Sequence, residues 1–459
     1  MSGTGRRRAG AGATRLTRRG RILAWSAGSC AVLVLGVGGV GAWVYKDLDS
    51  NITGADVDAK LGDDRPANLS PGSKNIMVVG SDSRDGVNAK YGGDGLTTMQ
   101  SDTLMVLHVP ANREWATVVS FPRDSWVEIS ACDKGDGSAS SPHLAKINEA
   151  FAIGGASGEV AGAAACSIRT VEANTGLRMD SFMSVDFQGF KGMVDALEGI
   201  EVCPEQAIKD DKAHLDMEAG CQTVKGETAL GYVRTRYAVG DGSDIGRIGR
   251  QQEFVEALAA KAKSKLTSPT SLYDFLQSAT KSLTTDEGLA GIDPLYDLAS
   301  ELKGIPSDRL TFLTVPNYPR EADVPTDKAN IVWQYPQAAD LFTSLAKDKE
   351  VDKKRLQARA KNDLVYASAV RVQVLNGTGV TGRAADVAEK LREAGFTVVG
   401  TGNAPETTDE TTVTYPADLA KQAKVLASRL PGTRATRSAD AAGVVTLVVG
   451  SDLDLDELW

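Results

Sequence analysis

Four arginines lie close together in one short stretch of an otherwise acidic chain. They occur in Tyr-Val-Arg-Thr-Arg and in Asp-Ile-Gly-Arg-Ile-Gly-Arg-Gln-Gln, and they are Arg234, Arg236, Arg247 and Arg250. A guanidinium group keeps its charge at physiological pH and presents planar, paired N–H donors that match the oxygens of phosphate. This cluster therefore predicts a phosphate site.

The second pair of arginines falls on the clearest long helix that the sequence predicts, from Ile245 to Lys265. Ser243 or Asp244 can cap this helix, and its free N–H groups and dipole would then favour an anion. Gln251 lies one turn after Arg247. Arg234 and Arg236 would point to one side if their segment is extended. The alternative is a solvated surface whose arginines pair with nearby acids, namely Asp241, Asp244 and Glu253.

Three β-rich runs precede this region, and charged residues stand at their ends. The runs are Asn75–Gly80, Thr103–Val109 and Ala116–Phe121, and the last two are spaced as an antiparallel hairpin. If neighbouring strands are antiparallel, the end of the first run, the start of the second and the end of the third lie together at one edge of the sheet. The charged residues at that edge are Asp82, Arg84, Asp102, Arg123 and Asp124.

Two carboxylates at such an edge suit Mg²⁺, which keeps several waters and usually binds together with substrate phosphates. We expect Asp82 and Asp102 to hold Mg²⁺, with Mn²⁺ as the substitute; capping of turns is the alternative role for both. Lys146 is a further candidate for a hydrogen bond to phosphate. None of the three histidines belongs to a recognisable nucleophile arrangement, so the sequence favours phosphoryl transfer by positioning, metal and arginine over a Ser-His-Asp hydrolase.

The N-terminal sequence predicts a membrane anchor. Seven arginines and no acidic residue occur in 1–21, and 22–45 carries no charge over 24 residues, enough to span a bilayer of about 30 Å. No small-x-small cleavage site follows, so we expect an uncleaved helix with the N-terminus in the cytoplasm. Residues 46–73 are polar, which predicts a stalk between the membrane and the first domain. The rest of the chain would lie outside the membrane.

Charge and cysteine content agree with an exported protein that does not bind nucleic acid. Without the seven tail arginines, 44 basic residues face 60 acidic ones, a formal charge of −16. Four cysteines lie beyond the span, an even number that suits two disulfides. The favoured pairing closes two local loops, Cys132–Cys166 and Cys203–Cys221.

The pattern of elements predicts an α/β fold. Strands and helices interleave over 74–346, which favours a three-layer α/β/α core with a mixed central sheet. Residues 347–367 form a charged linker, and 368–459 read as a small α/β domain of order β-α-β-β-α-β. This last domain contains Asn-Gly-Thr-Gly-Val-Thr-Gly at 376–382, but no acidic residue follows the next strand to hold a ribose, so no nucleotide is expected.

Seven motifs of the chain occur in the order seen in the LytR-CpsA-Psr family, which the chain resembles over about 74–265, while 368–450 resembles the C-terminal domain often attached to it. The motifs are Asn75–Arg84, Ser101–His108, Phe121–Asp124, Lys146–Asn148, Val185–Phe190, Tyr232–Arg236 and Asp244–Gln252. The resemblance implies an enzyme of Gram-positive type cell envelopes. Such enzymes transfer a glycopolymer from a polyprenyl pyrophosphate carrier to peptidoglycan, through a phosphodiester to the C6 hydroxyl of N-acetylmuramic acid.

The resemblance also implies roles for individual residues. Asp82 and Asp102 would hold Mg²⁺, and the pyrophosphate would bind to Arg84, Arg123, Lys146, Arg234, Arg236, Arg247, Arg250 and Gln251. Asp124 and Asp244 are the candidates for the base that deprotonates the acceptor. Two rival functions stay open. One is hydrolysis of polyprenyl pyrophosphate, which would use the same metal and arginines with water as the acceptor; the other is a non-catalytic wall-binding or regulatory role of the kind once described as transcription attenuation.

Overall fold

The computed structural model describes residues 42–81, 99, 101–235, 244–265, 269–430, 432–438 and 443–454. These residues fall into two compact units that divide between Ser50 and Asn51. The smaller unit contains a helix at 42–49. Within the described ranges, no helix is both long enough and apolar enough to cross a membrane. The predicted span at 22–45 lies outside these ranges except for its last four residues, so it stays a prediction.

Strands and helices alternate along the larger unit, as the sequence predicts. The strands described are β1 (Thr53–Ala55), β2 (Lys74–Ser81), β3 (Ser101–Val109), β4 (Ala116–Phe121), β5 (Trp126–Ile129), β6 (His143–Lys146), β7 (Ser181–Asp186), β8 (Ile200–Val202), β9 (Ile208–Asp210), β10 (Leu215–Met217), β11 (Gln222–Val224), β12 (Leu283–Asp286), β13 (Leu310–Thr314), β14 (Asn317–Pro319), β15 (Ile331–Trp333), β16 (Arg371–Asn376), β17 (Thr397–Asn403), β18 (Thr412–Tyr415), β19 (Arg434–Arg437) and β20 (Val445–Val449). The helices described are α1 (Asp58–Leu61), α2 (Glu149–Gly154), α3 (Val160–Thr175), α4 (Phe187–Ala196), α5 (Gly226–Arg234), α6 (Asp244–Lys265), α7 (Pro269–Lys281), α8 (Ile292–Gly304), α9 (Gln337–Ala346), α10 (Lys353–Asn362), α11 (Arg383–Glu393) and α12 (Ala420–Ala427).

Seven of the described strands form a mixed central sheet in the order β1-β12-β7-β2-β3-β4-β13. β3 pairs antiparallel with both β2 and β4, which confirms the predicted hairpin. Ser81 at the end of β2 pairs with Ser101 at the start of β3, and Phe121 at the end of β4 pairs with Leu104. The three strand ends therefore meet at one edge of the sheet, as expected. We call it the site edge.

Helices cover both faces of this sheet, because successive residues of a strand point to opposite sides. On one face, Met77 and Val106 share a core cluster with Ile168 of α3 and Phe342 of α9. On the other face, Ile76 lies in a cluster with Leu298 of α8. The mixed sheet expected from the sequence is confirmed, and a helical layer lies on each side of it.

Two disulfides join loops of the larger unit. Cys132 is bonded to Cys166, and Cys203 is bonded to Cys221. These are the two pairings that the spacing favours. The first ties the loop after β5 to α3, and the second closes the segment that contains β9 and β10. Each bond restricts the unfolded chain and so stabilises the folded one.

The C-terminal region has its own core and a sheet in the order β17-β16-β20-β18-β19. The sequence predicts four of these strands and both helices, but it does not predict β19. This strand lies at the sheet edge beside β18, and three of its four residues are exposed. An exposed edge strand has no buried face and therefore shows no apolar alternation.

About half of the charged segment between the two regions is helical, because α10 occupies Lys353–Asn362. Asp352 caps this helix by accepting a hydrogen bond from the backbone N–H of Arg355. The side chain of Gln334 donates to the carbonyl of Ala360, so α10 packs against the region of β15. The segment is therefore held to the core at this helix.

Candidate active site at the edge of the sheet

The centre of the site edge is an ion pair between neighbouring strands. Asp102 is the second residue of β3, and Arg123 follows the end of β4. Nη1 of Arg123 donates to Oδ1 of Asp102 over 2.7 Å, and each side chain is about one-fifth exposed, at 21% and 20%. The antiparallel register brings these two residues together, and solvent still reaches them.

A second ion pair lies beside the first. Nζ of Lys146 donates to Oδ1 of Asp124 over 2.6 Å, and the Asp124 side chain is only 9% exposed. Lys146 ends β6 and pairs across the hairpin with Trp126, two residues after Asp124. The β5–β6 hairpin therefore places Lys146 against the turn that carries Arg123.

Helix α6 places Arg247 at the same edge. Arg247 is nearly fully buried, and its Nη2 donates to the backbone carbonyl of Asp102 over 3.1 Å. Nε2 of Gln252 donates to the hydroxyls of Ser120 and Thr314 near the ends of β4 and β13, at 3.0 and 3.3 Å. Gln252 was not among the predicted site residues, although it closes the same motif. Its contacts fix the helix against the strand ends.

The segment before α6 differs from the expectation. Arg234 ends a helix, α5, so the extended geometry considered for Arg234 and Arg236 is wrong for the first of them. This helix buries three apolar or aromatic side chains, those of Ala229, Leu230 and Tyr232. Their burial favours the helix more than the alternate spacing of two arginines favours an extended segment. The guanidinium of Arg234 lies 4.8 Å from the ring centre of Phe187. Phe187 directly follows β7, whose last residue pairs with Ser81 at the site edge.

Arg250 and Gln251 contact the backbone around Arg234. Arg250 is 9% exposed and donates to the carbonyl of Thr235, whose hydroxyl donates to Oδ2 of Asp210 over 2.6 Å. Burial lowers the pKa of the Arg250 guanidinium below its ordinary value. Nε2 of Gln251 donates to the carbonyl of Val233 over 3.0 Å. Both side chains thus hydrogen-bond to the backbone at the end of α5. Their expected contacts with phosphate stay a prediction.

Four predicted site residues are not described at the level of the side chain. Asp82, Arg84 and Arg236 lie outside the described residues, and Asp244 is described only as the first residue of α6. The residues that the structure does bring together are Asp102, Arg123, Asp124, Lys146 and Arg247. They form a connected set of two carboxylates and three cations at the carboxyl ends of β2 and β4.

The donor chemistry of the edge fits a magnesium ion that shares its ligands with a phosphate. In the described ranges, no three His, Cys, Asp or Glu side chains converge as a cage. Mg²⁺ does not need one, because it binds through one or two carboxylates, waters and substrate oxygens. The partly exposed carboxylate of Asp102 is one suitable ligand. Asp82, the second expected ligand, lies outside the described residues.

The glycine-rich loop of the C-terminal region has a packing role. A Cβ on Gly377 would approach Thr408 and Val449 to 2.6 and 2.8 Å. The backbone N–H of Thr408 donates to the carbonyl of Gly377 over 2.7 Å. The loop at 404–411 therefore lies directly on the carboxyl ends of β16 and β20, where an open α/β sheet would bind a ligand.

Two family models match the chain. The LytR_cpsA_psr family matches 44–348, and the model described as LytR cell envelope-related transcriptional attenuator matches 369–453. The first match alone covers well over half of the 459 residues.

Named relatives agree with the first match. The probable cell wall biosynthesis protein LcpB of Corynebacterium glutamicum is 34% identical over 285 residues, 59% of this chain and 60% of that protein. The chain thus spans less than two thirds of that relative. The cell wall biosynthesis protein LcpA of the same organism is 28% identical over 453 residues, 92% of this chain and 83% of LcpA. The polyisoprenyl-teichoic acid–peptidoglycan teichoic acid transferase TagT of Bacillus subtilis is 28% identical over 296 residues, 62% of this chain and 84% of TagT. On the extent of the family match, the chain belongs to the LytR-CpsA-Psr family.

Proposed function

We propose that this chain is a membrane-anchored phosphotransferase that moves a glycopolymer from a polyprenyl pyrophosphate carrier to peptidoglycan. The observation that carries the proposal is the link between Asp102 and two arginines from distant parts of the chain, Arg123 and Arg247. This link joins the strand ends to the arginine-rich helix. Relatives named as transferases of teichoic acid to peptidoglycan support the same reaction class.

The chemistry needs charge and position rather than a nucleophilic side chain. A pyrophosphate is negatively charged, and the glycan-bearing phosphoryl group passes to the acceptor hydroxyl while polyprenyl phosphate leaves. Cations that hold the reacting oxygens in line accelerate this transfer. Arg123, Lys146 and Arg247 already lie at one edge of the sheet, and Arg234 lies next to the end of β7. We propose that these four side chains bind the pyrophosphate, together with Arg84 and Arg236.

Asp102 and Asp82 would hold the Mg²⁺ ion. When bound, the ion neutralises charge on the phosphate oxygens. The hydrogen bond from Arg123 holds the Asp102 carboxylate in a fixed orientation at the strand start. Asp124 and Asp244 remain the candidate bases that take the proton of the acceptor hydroxyl, for which we propose the C6 hydroxyl of N-acetylmuramic acid. Lys146 orients Asp124 through their 2.6 Å contact.

The proposed topology fits the substrates. A helix at 22–45 with a basic cytoplasmic tail would keep the folded region on the outer side of the membrane, where a lipid carrier and the wall are both within reach. A protease added to intact cells should then digest residues beyond 46 and leave the basic tail protected. Digestion of the tail instead would reverse the proposed orientation.

The test is a transfer assay with the full-length chain in detergent. Lipid-linked glycan, peptidoglycan and Mg²⁺ are supplied, and both wall-attached glycan and free polyprenyl phosphate are measured, with Asp102→Ala as the negative control. The proposal expects both products in equal amounts, and neither product after chelation. Free polyprenyl phosphate without wall-attached glycan would identify a hydrolase. Retention on peptidoglycan with no product at all would instead identify a wall-binding protein.

A further inference from the structure

The C-terminal region is built onto the side of the catalytic region that carries Lys146. The guanidinium of Arg320 lies 4.9 Å from the ring centre of Trp126, the first residue of β5. Nη2 of the same arginine donates over 2.7 Å to the carbonyl of Glu393, the last residue of α11. One side chain therefore contacts the β5–β6 hairpin and the C-terminal region at the same time.

The contact lies directly behind two residues of the site. Trp126 pairs across the hairpin with Lys146, which donates to Asp124. The other side of this turn is held by β15: the N–H of Ile331 donates to the carbonyl of Asp124 over 3.0 Å, and the indole of Trp333 donates to Ser125 over 3.0 Å. The path from the C-terminal region to the Lys146–Asp124 pair is thus continuous and short.

Arg320 is itself held firmly. Its Nη1 contacts Oδ2 of Asp327 over 2.5 Å, and its backbone N–H donates to the carbonyl of Asn330 over 2.9 Å. Burial tends to raise the pKa of Asp327, but hydrogen bonds from Asn330 and Arg320 keep it below its ordinary value. The planar fork of an arginine can serve Asp327 and Glu393 together, which a single ammonium group does less well.

Three further contacts fix the C-terminal region in this place. Asp323 accepts hydrogen bonds from the hydroxyl of Tyr318 and from the N–H of Ser368, at 2.7 and 2.8 Å. The guanidinium of Arg429 lies 4.8 Å from the ring of Tyr335 and 5.3 Å from that of Phe396. Nζ of Lys390 lies 3.7 Å from the carboxylate of Glu128 on β5. The contact is specific, with partly buried polar groups and aromatic rings on both sides.

We propose that Arg320 is a positioning residue, through which the docked C-terminal region holds the β5–β6 hairpin and thereby fixes Lys146 against Asp124. The proposal gives the C-terminal region a role in the reaction itself, and it rests on the proposed function. Catalytic groups must be held closely, because a displacement of about 1 Å can cost about 100-fold in rate. A loosened hairpin would leave the other cations in place and misplace only this pair.

The experiment uses the full-length chain with three substitutions. Arg320→Ala removes the side-chain contacts with Trp126, Glu393 and Asp327, and Arg320→Lys keeps a cation near Trp126 but not the fork. Arg392→Ala removes an exposed arginine from the same helix as Glu393 and is the matched control. Amide hydrogen exchange over 126–129 and 143–146 reports on the hairpin, and kcat and KM for the lipid-linked donor report on the reaction.

We expect faster exchange in both hairpin strands of Arg320→Ala and a kcat lower by about 10- to 100-fold. The KM for the donor should rise as well, because Lys146 is one of the proposed pyrophosphate ligands. Arg320→Lys should lie between this variant and the wild type, and Arg392→Ala should match the wild type. Unchanged exchange in the hairpin, or faster exchange with unchanged kcat, would overturn the positioning role. If the wild type shows no transfer, the proposed function fails, while the exchange data still decide whether Arg320 couples the C-terminal region to the hairpin.

If Arg320→Ala does not fold, Arg320→Lys carries the test. Its circular dichroism and thermal midpoint are compared with those of the wild type before any rate is measured. A wild-type kcat in folded Arg320→Lys, together with wild-type exchange in the hairpin, would also overturn the proposal, because the fork geometry would then be dispensable.

Discussion

The two ends of β3 carry polar clusters of opposite character. At its start, Asp102 is partly exposed and contacts Arg123 and Arg247. Near its other end, His108 is fully buried, with Nδ1 2.7 Å from the side-chain oxygen of Asn75 and Nε2 3.1 Å from Asp348. Both clusters connect the strand to distant parts of the chain, but the residue that β3 itself contributes is a partly exposed carboxylate in the first and a fully buried imidazole in the second.

This difference separates function from stability along one strand. The Asp102–Arg123 pair is partly open to solvent, which weakens the attraction between its charges. We therefore expect this pair to contribute about 1 kcal/mol or less to folding and to be available to bind a ligand. A buried polar group that loses its partner costs about 1–3 kcal/mol, so the His108 cluster should matter chiefly for folding. Substitution at one end should therefore affect activity, and substitution at the other should affect stability.

The largest effect is expected at the site end. Asp102→Asn keeps the size of the side chain and removes its charge, so it should lower kcat of glycan transfer by about 100- to 1000-fold, as loss of one preorganised electrostatic contact does. The free energy of unfolding should change by less than about 1 kcal/mol. The measurements are the transfer assay and urea unfolding of the same preparation.

A matched control is Asp216→Asn, which removes a carboxylate from an exposed pair with Lys209 whose side chains are both 73% exposed. This control should change neither activity nor stability. Wild-type turnover in folded Asp102→Asn would remove Asp102 from the catalytic machinery.

The opposite result is expected at the other end. His108→Ala leaves Asn75 and Asp348 without their imidazole partner and opens space beside Trp115, whose ring centre lies 5.1 Å from that of His108. The free energy of unfolding should fall by about 2 kcal/mol or more. The kcat, measured well below the unfolding temperature, should stay within about twofold of the wild-type value. A large loss of kcat in folded protein would contradict the separation.

The Asp102–Arg123 pair is visible in the sequence, whereas the long-range contacts at both ends of β3 are not. Asp102 and Arg123 stand at the ends of two strands with clear β patterns and a short connection, so antiparallel pairing brings them together. The bond from Arg247 to Asp102 joins residues 145 positions apart, and that from His108 to Asp348 joins residues 240 positions apart. No local pattern encodes such contacts, because they depend on how the layers pack.

Local burial explains the error in the predicted conformation of Arg234. The alternation of two arginines suggests an extended segment, but the residues before them bury the apolar face of a helix. That helix contacts the cluster that includes Val194 and Phe254. Packing of several apolar side chains outweighs the spacing of two charged ones, as tertiary context generally outweighs local preference.

The smallest effect concerns the pH dependence of stability at the His108 end. Burial lowers the pKa of His108 below its ordinary value of 6.5, although the Asp348 carboxylate acts to raise it. The folded chain therefore binds this proton less readily than the unfolded chain does. The stabilising contribution is fully present above the unfolded pKa and is lost as pH falls from there towards the lower folded value. Stability should accordingly decline on acidification from pH 8 to about 5.5.

The comparison with His108→Gln isolates this contribution. Asp180, whose carboxylate accepts from the N–H of Asn75, has a pKa that burial raises, so its contribution has the opposite sign. Urea unfolding is measured between pH 8 and 5.5, and Asp180 is present in both proteins, so its contribution cancels in the comparison. The wild type should lose more free energy of unfolding over this interval than His108→Gln, which carries no titrating group at the position. Equal losses in the two proteins would show that His108 takes up no proton on unfolding in this pH range. The contrast between the two ends of β3 would then rest on the substitution data alone.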